Sequence, residues 1–273
     1  MPAINPIVLN SLSDLQPALY WLDADPLEPD SHSSLTSEIE TDLCIVGAGY
    51  TGLWTALLAK ERDPNREVVI IEQRETGNGA SGRNGGFCNG SLTHGFVNGY
   101  TRFADEMVTI EKLGRQNLDA IEETIKKYKI DCDFERNGEL RVAVAPWQMA
   151  GLKEEAVARN KTGDQVEVLS KEEIRALVKS PIYEGALFDH DGTALVDPAR
   201  LVWGLEKVCL SLGVKIYENS KVEELIQDGD QVIVKSAYGS IRANKVALAT
   251  NIYTPLVKSV KKYVIAVYDF QLV

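Results

Sequence analysis

A glycine-rich turn between a short apolar strand and a helical stretch is the feature that most restricts the fold of this chain. Residues 42–46 form an apolar run that predicts a strand, and a helical pattern continues from the turn to about Arg62. The turn has the pattern Gly-x-Gly-x-x-Gly and consists of Gly47, Ala48, Gly49, Tyr50, Thr51 and Gly52. A second apolar run, residues 67–71, follows a turn signal at residues 63–65. Together these segments predict a strand–helix–strand unit of about thirty residues.

Each glycine of this turn has its own task in a fold that binds a dinucleotide. Gly47 permits the tight turn, Gly49 lets the backbone approach a pyrophosphate, and Gly52 lets the helix pack closely on the strand. The N-terminus of the helix stabilises the negative charge of the phosphates. Glu72 ends the second strand, 25 residues after Gly47, where a carboxylate can accept hydrogen bonds from both ribose hydroxyls and would repel a 2′-phosphate. The unit is therefore predicted to bind the ADP part of FAD or NAD, and NADP is disfavoured.

The following segment favours the larger cofactor. Residues 77–90 contain six glycines in fourteen positions, namely Gly77, Gly79, Gly82, Gly85, Gly86 and Gly90. Because glycine costs about 0.5–1 kcal/mol relative to alanine in regular structure, this segment is predicted to be a loop. A backbone that lies close to a second part of a large cofactor explains the glycines, and a mobile surface loop is the alternative. Ser81, Arg83 and Asn84 would donate hydrogen bonds to phosphate or flavin oxygens.

Several segments resemble the D-amino-acid-oxidase-like (DAO) family of FAD-dependent oxidoreductases. Residues 42–72 resemble its long FAD fingerprint, and residues 79–86, Gly-Ala-Ser-Gly-Arg-Asn-Gly-Gly, resemble its glycine loop. Asp197-Pro198 before a helix also resembles the family, as do residues 249–255, Ala-Thr-Asn-Ile-Tyr-Thr-Pro, which stand where related proteins return to the cofactor. The resemblance runs from Tyr20 to the end of the chain and is closest to the γ-glutamylputrescine oxidase-like branch.

The resemblance implies an α/β fold with two domains. One is a Rossmann-like FAD-binding domain of the GR2 type, and the other is a partial α+β substrate domain with a mostly antiparallel sheet. By position, the cofactor would be held by the residues of the glycine turn together with Glu72, Gln73, Arg74, Ala80, Ser81, Arg83, Asn84, Gly85, Gly86, Val222, Thr250 and Asn251. Among these, Arg74 would lie near the ribose, the backbone of Val222 would touch the adenine, and Thr250 and Asn251 would line the return crossing.

The expected order of segments begins with an N-terminal arm. This arm comprises residues 1–40 and is either anchored by Tyr20, Trp21 and Leu22 or disordered. The FAD-binding unit with its glycine loop follows at residues 41–100, and the substrate region with helices at residues 101–195. Residues 196–255 return to the FAD-binding domain, and residues 256–273 begin a second substrate-domain segment.

Local signals predict further helices and strands. Ser170 and Glu173 form a capping-box pattern that begins a helix, and Asp197 with Pro198 begins another that runs to about Leu212. Asp228-Gly229 predicts a turn. Short strands are predicted at residues 140–144, near 186, and at 214–217, 222–226, 232–234, 246–249 and 263–273.

Composition restricts the partners. The formal net charge is −11, so a nucleic-acid partner is not expected. Such a charge would attract a cationic substrate at long range, but many soluble cytoplasmic proteins are equally acidic, and the charge alone does not favour that substrate. The four cysteines form no Cys-x-x-Cys pair and the three histidines show no metal-ligand spacing, so no metal site is predicted. We expect a reducing compartment, a cytoplasmic location and no transmembrane segment.

The resemblance implies an enzyme that oxidises the C–N bond of a small amine or amino acid by hydride transfer to FAD, which oxygen or another acceptor then reoxidises. No catalytic base is assigned, since flavin enzymes mainly position and desolvate the substrate; His94 is interpreted as structural and His190 as an exposed turn residue. The alternatives are a flavin dehydrogenase with an acceptor other than oxygen, and an inactive nucleotide-binding fragment. The sequence leaves open the amine, the acceptor, the oligomeric state and covalent flavin attachment, for example at Cys88.

The end of the sequence carries one more expectation. Residues 267–273 predict a strand without a partner, and few strands of the substrate domain are predicted before it. We therefore expect a chain that is incomplete as a catalytic unit. A short relative that completes its site by dimerisation is the alternative.

Overall fold

A computed structural model describes residues 20–21, 31–252, 256–265 and 267. The chain divides into two compact units. The terminal unit comprises Met1–Arg83 and Gly213–Val273, and the inserted unit comprises Asn84–Leu212. These limits differ from the boundaries expected after residues 100 and 195.

The described residues form eleven strands and seven α-helices from residue 31 onwards. In chain order they are β1 (Glu38–Val46), α1 (Tyr50–Arg62), β2 (Val68–Ile71), a 3₁₀ turn (Ala80–Gly82), β3 (Phe87–Asn89), α2 (Phe96–Phe103), a 3₁₀ turn (Ala104–Glu106), α3 (Met107–Tyr128), β4 (Glu139–Ala143), α4 (Gln148–Lys161), β5 (Val166–Leu169), α5 (Lys171–Leu177), β6 (Gly185–Asp189), β7 (Thr193–Leu195), α6 (Pro198–Ser211), β8 (Lys215–Tyr217), β9 (Val222–Asp228), β10 (Gln231–Ser236), β11 (Ser240–Leu248) and α7 (Lys258–Lys261).

A six-stranded sheet forms the body of the terminal unit, in the order β8-β2-β1-β11-β10-β9. The first four strands are parallel, and β10 runs antiparallel to both β11 and β9. In register, Val46 of β1 faces Ile71 of β2 and Leu248 of β11. The carboxyl ends of these three strands therefore lie at one edge of the sheet, and the glycine turn, Glu72 and residues 249–251 all follow directly from that edge.

The core of this sheet explains the sequence pattern of its strands. All four residues of β2 are buried, as expected for a parallel strand that is covered on both faces. One apolar cluster joins Val46, Ile71, Val222, Ile241 and the residues packed with them. Leu35 belongs to the same cluster with an exposed fraction of 1%.

The expected arm of residues 1–40 is therefore wrong in its last part. Leu35 lies in the core, and the first strand, Glu38–Val46, already begins four residues before the predicted start at Asp42. Tyr20 and Trp21 contact each other edge to face, with ring centroids 5.1 Å apart. Residues 1–19 and 22–30 of the arm, Leu22 among them, lie outside the described residues.

The inserted unit is built on an antiparallel sheet in the order β4-β6-β5, which confirms the expected sheet type. A separate two-stranded ladder joins β3 to β7. Both helix-start signals are confirmed. The hydroxyl of Ser170 and the carboxylate of Glu173 form the reciprocal capping box of α5, and Asp197 Oδ1 accepts hydrogen bonds from the backbone of Ala199 and Arg200 at 2.9 and 3.0 Å.

The strand predicted at residues 263–273 is wrong for the residues that the structure describes. Tyr263, Val264, Ile265 and Val267 lie in a turn or in irregular backbone, and residues 266 and 268–273 lie outside the described residues. A strand forms only where a neighbouring strand takes its backbone hydrogen bonds, and the described part of this stretch pairs with none.

A helix that spans a bilayer needs about 20 predominantly apolar residues. Among the described helices, none has the length and apolar character for this.

Candidate dinucleotide-binding site

The glycine turn at the carboxyl end of β1 tolerates no side chain at two of its positions. Gly47 has a φ of +110°, and a Cβ there would lie 2.6 Å from the carbonyl oxygen of Ala249. A Cβ on Gly52 would overlap the carbonyl oxygen of Gly47 and press on Ile45 at 3.3 Å. The turn is therefore tight, and α1 packs directly against it, as the sequence predicts.

Helix α1 begins at this turn with a cap that has no side chain. Its N-cap residue, Gly49, offers no side-chain hydrogen bond, and its carbonyl accepts the first helical bond from Leu53 at 3.0 Å. Ser81 Oγ accepts a hydrogen bond from the backbone of Tyr50 at 2.9 Å. Because a helix N-terminus stabilises negative charge, this is where a pyrophosphate would be held. The Ser81 hydroxyl lies at the same position and would contact the same group.

The carboxylate of Glu72 is held in place by two backbone donors. Glu72 Oε2 accepts from Ala48 at 2.8 Å, and Oε1 accepts from Arg74 at 3.0 Å. The side chain is thus fixed beside the glycine turn, at the end of β2, where a ribose would need an acceptor. Gln73 and Arg74 are exposed, and the Arg74 guanidinium donates to Asn78 Oδ1 at 3.4 Å.

The segment that leads to Val222 runs along residues 72–74. The backbone nitrogen of Glu72 donates to Tyr217 O, and its backbone oxygen accepts from Ser220 N, both at 2.8 Å. Arg74 O accepts from Asn219 N at 3.2 Å. The Val222 side chain is buried in the core cluster of the sheet. Only its backbone is therefore available to a ligand, and the expected contact with adenine stays a prediction.

Sequence reasoning missed a buried carboxylate that fixes this part of the unit. Glu218 has an exposed fraction of 2%. Its Oε1 accepts from the backbone of Thr76 at 2.6 Å, and its Oε2 accepts from the backbone of His32 at 3.2 Å. The sequence carries only a weak signal for this role, since one acidic residue after a short strand is typical of a turn. Its partners are 142 and 186 residues away along the chain.

The return crossing after β11 lies beside the glycine turn. Ala249 N donates to Val46 O at 2.9 Å, and the backbone nitrogen of Thr250 lies 3.6 Å from the position of a Cβ on Gly47. Asn251 has a φ of +50°, the left-handed conformation that asparagine tolerates better than most residues. The structure thus brings Thr250 to the turn, as the resemblance implies. Residues 253–255 lie outside the described residues.

The predicted glycine loop at residues 77–90 is irregular except for one 3₁₀ turn that contains Ala80 and Ser81 and for strand β3 (Phe87–Asn89) near its end. The Arg83 side chain donates back to its own loop, from Nε to Gly79 O at 3.1 Å and from Nη2 to Asn78 O. Its guanidinium therefore closes the loop in this structure, and the expected contact with the cofactor stays a prediction.

Asn84, Gly85 and Gly86 belong to the inserted unit. Asn84 Oδ1 accepts from Gly86 N at 2.9 Å. Gly86 is buried with a φ of +77°, and its carbonyl accepts from Val196 N at 2.9 Å. The backbone at Gly86 therefore requires glycine before any ligand is considered.

The two histidines interpreted from the sequence, His94 and His190, both lie on exposed segments. His94 is exposed with a φ of +54°. His190 lies in an exposed bend, with Nε2 3.0 Å from Glu167 Oε1, so the interpretation of His190 is confirmed. Burial raises the pKa of the Cys88 thiol, although the Arg136 charge lowers it, and a raised thiol pKa disfavours the thiolate.

The geometry of the terminal unit fits an ADP-containing cofactor. A helix N-terminus without a capping side chain, a hydroxyl beside it and a fixed carboxylate 25 residues after Gly47 converge at one edge of a parallel sheet. Ligands of open α/β sheets bind at this carboxyl edge.

Comparisons with known proteins agree with this geometry. The profile of a family described as DAO, FAD dependent oxidoreductase, matches residues 42–272. Gamma-glutamylputrescine oxidoreductase of Escherichia coli is 37% identical over 230 residues, which cover 81% of this chain and 51% of that protein. The probable oxidoreductase OrdL of Haemophilus influenzae is 33% identical over 80% of this chain and 51% of its own length. The chain spans about half the length of these curated relatives.

Solved structures show the same fold. Glycine oxidase from Geobacillus kaustophilus superposes with a TM-score of 0.66 at 20% identity, covering 81% of this chain and 58% of that one. L-proline dehydrogenase from P. horikoshii also gives 0.66, at 19% identity, over 82% of this chain and 56% of that one.

Proposed function

The chain belongs to the DAO family of FAD-dependent oxidoreductases, and on this premise we propose that it oxidises a C–N bond of a small amine or amino acid. The observation that carries the proposal is the match to an FAD-dependent family over residues 42–272, which includes the glycine turn and Glu72. The names of relatives support the substrate class. They include gamma-glutamylputrescine oxidoreductase and, at 26% identity, the beta subunit of sarcosine oxidase from Rhodobacter capsulatus.

FAD, when bound, supplies a flavin ring that accepts a hydride from the carbon next to the substrate nitrogen. The residues of this chain hold and orient the cofactor. The N-terminus of α1 and the Ser81 hydroxyl would hold the pyrophosphate, and Glu72 would accept hydrogen bonds from the ribose hydroxyls. The backbone of Val222 would face the adenine, and Thr250 and Asn251 would line the return crossing.

Preorganisation is the main contribution of Glu72. Its two carboxylate oxygens are already fixed by the backbone of Ala48 and Arg74, so little side-chain entropy is lost when a ribose binds. The same fixed carboxylate disfavours a 2′-phosphate by charge repulsion. We therefore propose FAD rather than a phosphorylated nicotinamide cofactor as the ligand of this edge.

Anaerobic mixing tests the proposed reaction. The full chain, loaded with FAD, is mixed without oxygen with a panel of small amines and amino acids, and bleaching of the oxidised flavin is recorded. Where the catalytic unit is complete, we expect at least one amine to reduce the flavin. Reduction by 2-hydroxy acids or alcohols alone would contradict the proposal.

Oxygen is then admitted to the reduced protein to identify the acceptor. An oxidase releases hydrogen peroxide as its flavin is reoxidised. A dehydrogenase stays reduced in oxygen and is reoxidised by an added quinone or dye. Both outcomes retain the C–N assignment, and they decide between the two flavin enzymes that the sequence leaves open.

A further inference from the structure

A small charged cavity lies inside the inserted unit, and its walls contain none of the residues that we assign to FAD. Its volume is about 100 Å³. Since one water molecule needs roughly 10–15 Å³ of such space, the cavity has room for several waters or for one small organic group. Eight charged residues contribute to its wall, namely Glu111, Arg115, Glu139, Arg141, Arg159, Asp164, Asp189 and Asp191. We call it the Glu111 cavity.

Four of these eight charges neutralise one another, and Arg141 pairs with Glu155. Asp164 accepts from both arginines, through Oδ1 from Arg115 and through Oδ2 from Arg159 Nε at 2.8 Å. The Arg159 guanidinium also pairs with Asp189 Oδ2 and lies 5.9 Å from the ring centre of Phe96. Two guanidinium groups are thus matched by two carboxylates, and neither arginine needs an external anion.

Glu139 and Asp191 are exposed, and Glu111 is the buried carboxylate of this wall that has no ion pair among the described residues. Its exposed fraction is 8% and it contributes to the cavity wall. Among the residues that the structure describes, none lies within hydrogen-bond or ion-pair distance of its carboxylate. A buried ionised carboxylate without a partner is costly, because desolvation is not offset by a paired charge. Burial accordingly raises the pKa of Glu111, while the Arg159 and Arg115 charges lower it and Asp189 raises it.

We propose that the Glu111 cavity binds a small organic cation whose primary or secondary ammonium group pairs with the Glu111 carboxylate. Such a group supplies the missing positive charge together with two or three hydrogen-bond donors. The alkyl part of the cation would pack against the Phe96 ring, which contributes to the same wall. The proposal rests on contacts inside the inserted unit and not on the proposed oxidation.

A metal ion fits the cavity less well than an organic cation. Within the described part of the chain, the acidic side chains of this wall do not bring three ligand atoms within 4.8 Å of one another. Divalent cations need such a convergence of oxygen ligands. An ammonium group needs only one carboxylate and nearby acceptors, which this wall provides.

Binding should depend on pH through Glu111. The charged groups that line the cavity with it are Arg115 on its own helix α3, Glu139 and Arg141 on β4, Arg159 on α4, Asp164 between α4 and β5, Asp189 at the end of β6 and Asp191 after it. The cation binds the ionised form, so a neutral Glu111 must first release its proton. Affinity should therefore rise with pH until Glu111 is fully ionised without ligand.

Calorimetric titration of the full chain with n-butylammonium chloride tests the proposal, with n-butanol as the uncharged control. At about pH 8, far above the ordinary glutamate pKa of about 4.3, we expect saturable binding of the ammonium and none of the alcohol. Losing a charged partner typically weakens binding roughly ten- to a hundred-fold, and we expect this loss in Glu111→Gln. Glu123→Gln, an exposed position on the same helix, should bind like the wild type.

Two further measurements keep the test decisive. Glu111→Asp retains the charge on a shorter side chain and should bind more tightly than Glu111→Gln, which separates charge from packing. Circular dichroism verifies that each variant is folded. Equal affinity of wild type and Glu111→Gln, or no saturable binding to the wild type, would overturn the proposal and leave a cavity that holds only water. The readout is heat of binding without turnover, so it is independent of flavin reduction.

Discussion

Charge and burial conflict at Glu111, and this conflict predicts how stability depends on pH. Because burial raises the pKa of Glu111 in the folded state, the stability that its protonated form contributes is present below the unfolded pKa. That stability is lost as pH rises through the folded pKa. Glu111→Gln has no carboxylate to ionise. The variant should therefore match the wild type at acid pH and become the more stable protein as pH rises.

Urea unfolding at a series of pH values, followed by circular dichroism, measures this difference. The exposed variant Glu123→Gln serves as the control and should show no such trend. A difference between Glu111→Gln and wild type that stays constant with pH would contradict the interpretation, as would a wild type that is the more stable protein at neutral pH.

The cysteine thiols predict a slow reaction with alkylating reagents in the folded protein. Burial raises the pKa of Cys44 to about 12, and burial together with neighbouring aspartates raises that of Cys132 to about 12. Cys209 is buried, and Cys88 is only partly exposed with a raised pKa. Since the thiolate is the reactive form, we expect Cys88 to react first and the other three to be protected.

Mass spectrometry after iodoacetamide treatment at about pH 8, near the ordinary thiol pKa of about 8.5, measures this order. Denatured protein should take up label at all four cysteines quickly. Rapid labelling of Cys44 or Cys132 in the folded protein would contradict the burial on which the prediction depends.

Residues that act through local geometry were predictable, and residues that act through distant contacts were not. Gly47 and Gly52 stand in a short motif whose spacing alone specifies the turn, and the structure places Glu72 beside it. Glu218 and Glu111 were missed because their importance depends on burial. Nothing within a few residues of Glu218 or Glu111 in the sequence shows that the fold will enclose a carboxylate there.

At the scale of single elements, two helical glycines predict opposite effects of the same substitution. Gly52 lies in the first turn of α1, where a Cβ would overlap the backbone of Gly47. Gly151 lies in the first turns of α4, with no heavy atom within 4 Å of an added Cβ. Gly52→Ala should therefore destabilise the protein by about 1–3 kcal/mol, the usual cost of overpacking, and lower its FAD content. Gly151→Ala should stabilise it by up to about 1 kcal/mol through helix propensity.

Thermal unfolding and the FAD content after purification measure both variants. The pair controls for the chemistry of the substitution, because each replaces a helical glycine by alanine. If Gly52→Ala keeps both wild-type stability and full FAD occupancy, α1 does not pack on the turn as closely as the structure shows.

Elements with a strong local signal were predictable from the sequence, while those that depend on pairing were not. The capping residues Ser170 and Asp197 locate the starts of α5 and α6. Strand β5 was missed because four residues, Val166–Leu169, carry too little pattern, and only pairing with β6 makes them a strand. The expected strand at residues 263–273 shows the converse, since its described residues have an apolar pattern but no strand to pair with.

At the scale of the whole molecule, the parallel edge of one sheet unites segments that are far apart in the sequence. The glycine turn, Glu72 and Thr250 follow three neighbouring parallel strands, although most of the residues between the first and the last of them belong to the inserted unit. Sequence patterns specified the first strand–helix–strand unit. The return of β11 to β1 was predictable only from the resemblance, because register between distant strands has no local signal.

The central claim is that Glu72 and the glycine turn hold FAD, and a titration of apo-protein with FAD tests it most directly. The wild type is compared with Glu72→Gln and with Glu67→Gln, which removes an exposed charge just before the other end of β2. Following flavin fluorescence, we expect Glu72→Gln to bind FAD roughly ten- to a hundred-fold more weakly, because a charged hydrogen-bond acceptor typically contributes about 1.5–3 kcal/mol. Glu67→Gln should bind like the wild type. Equal dissociation constants for all three proteins would contradict the account.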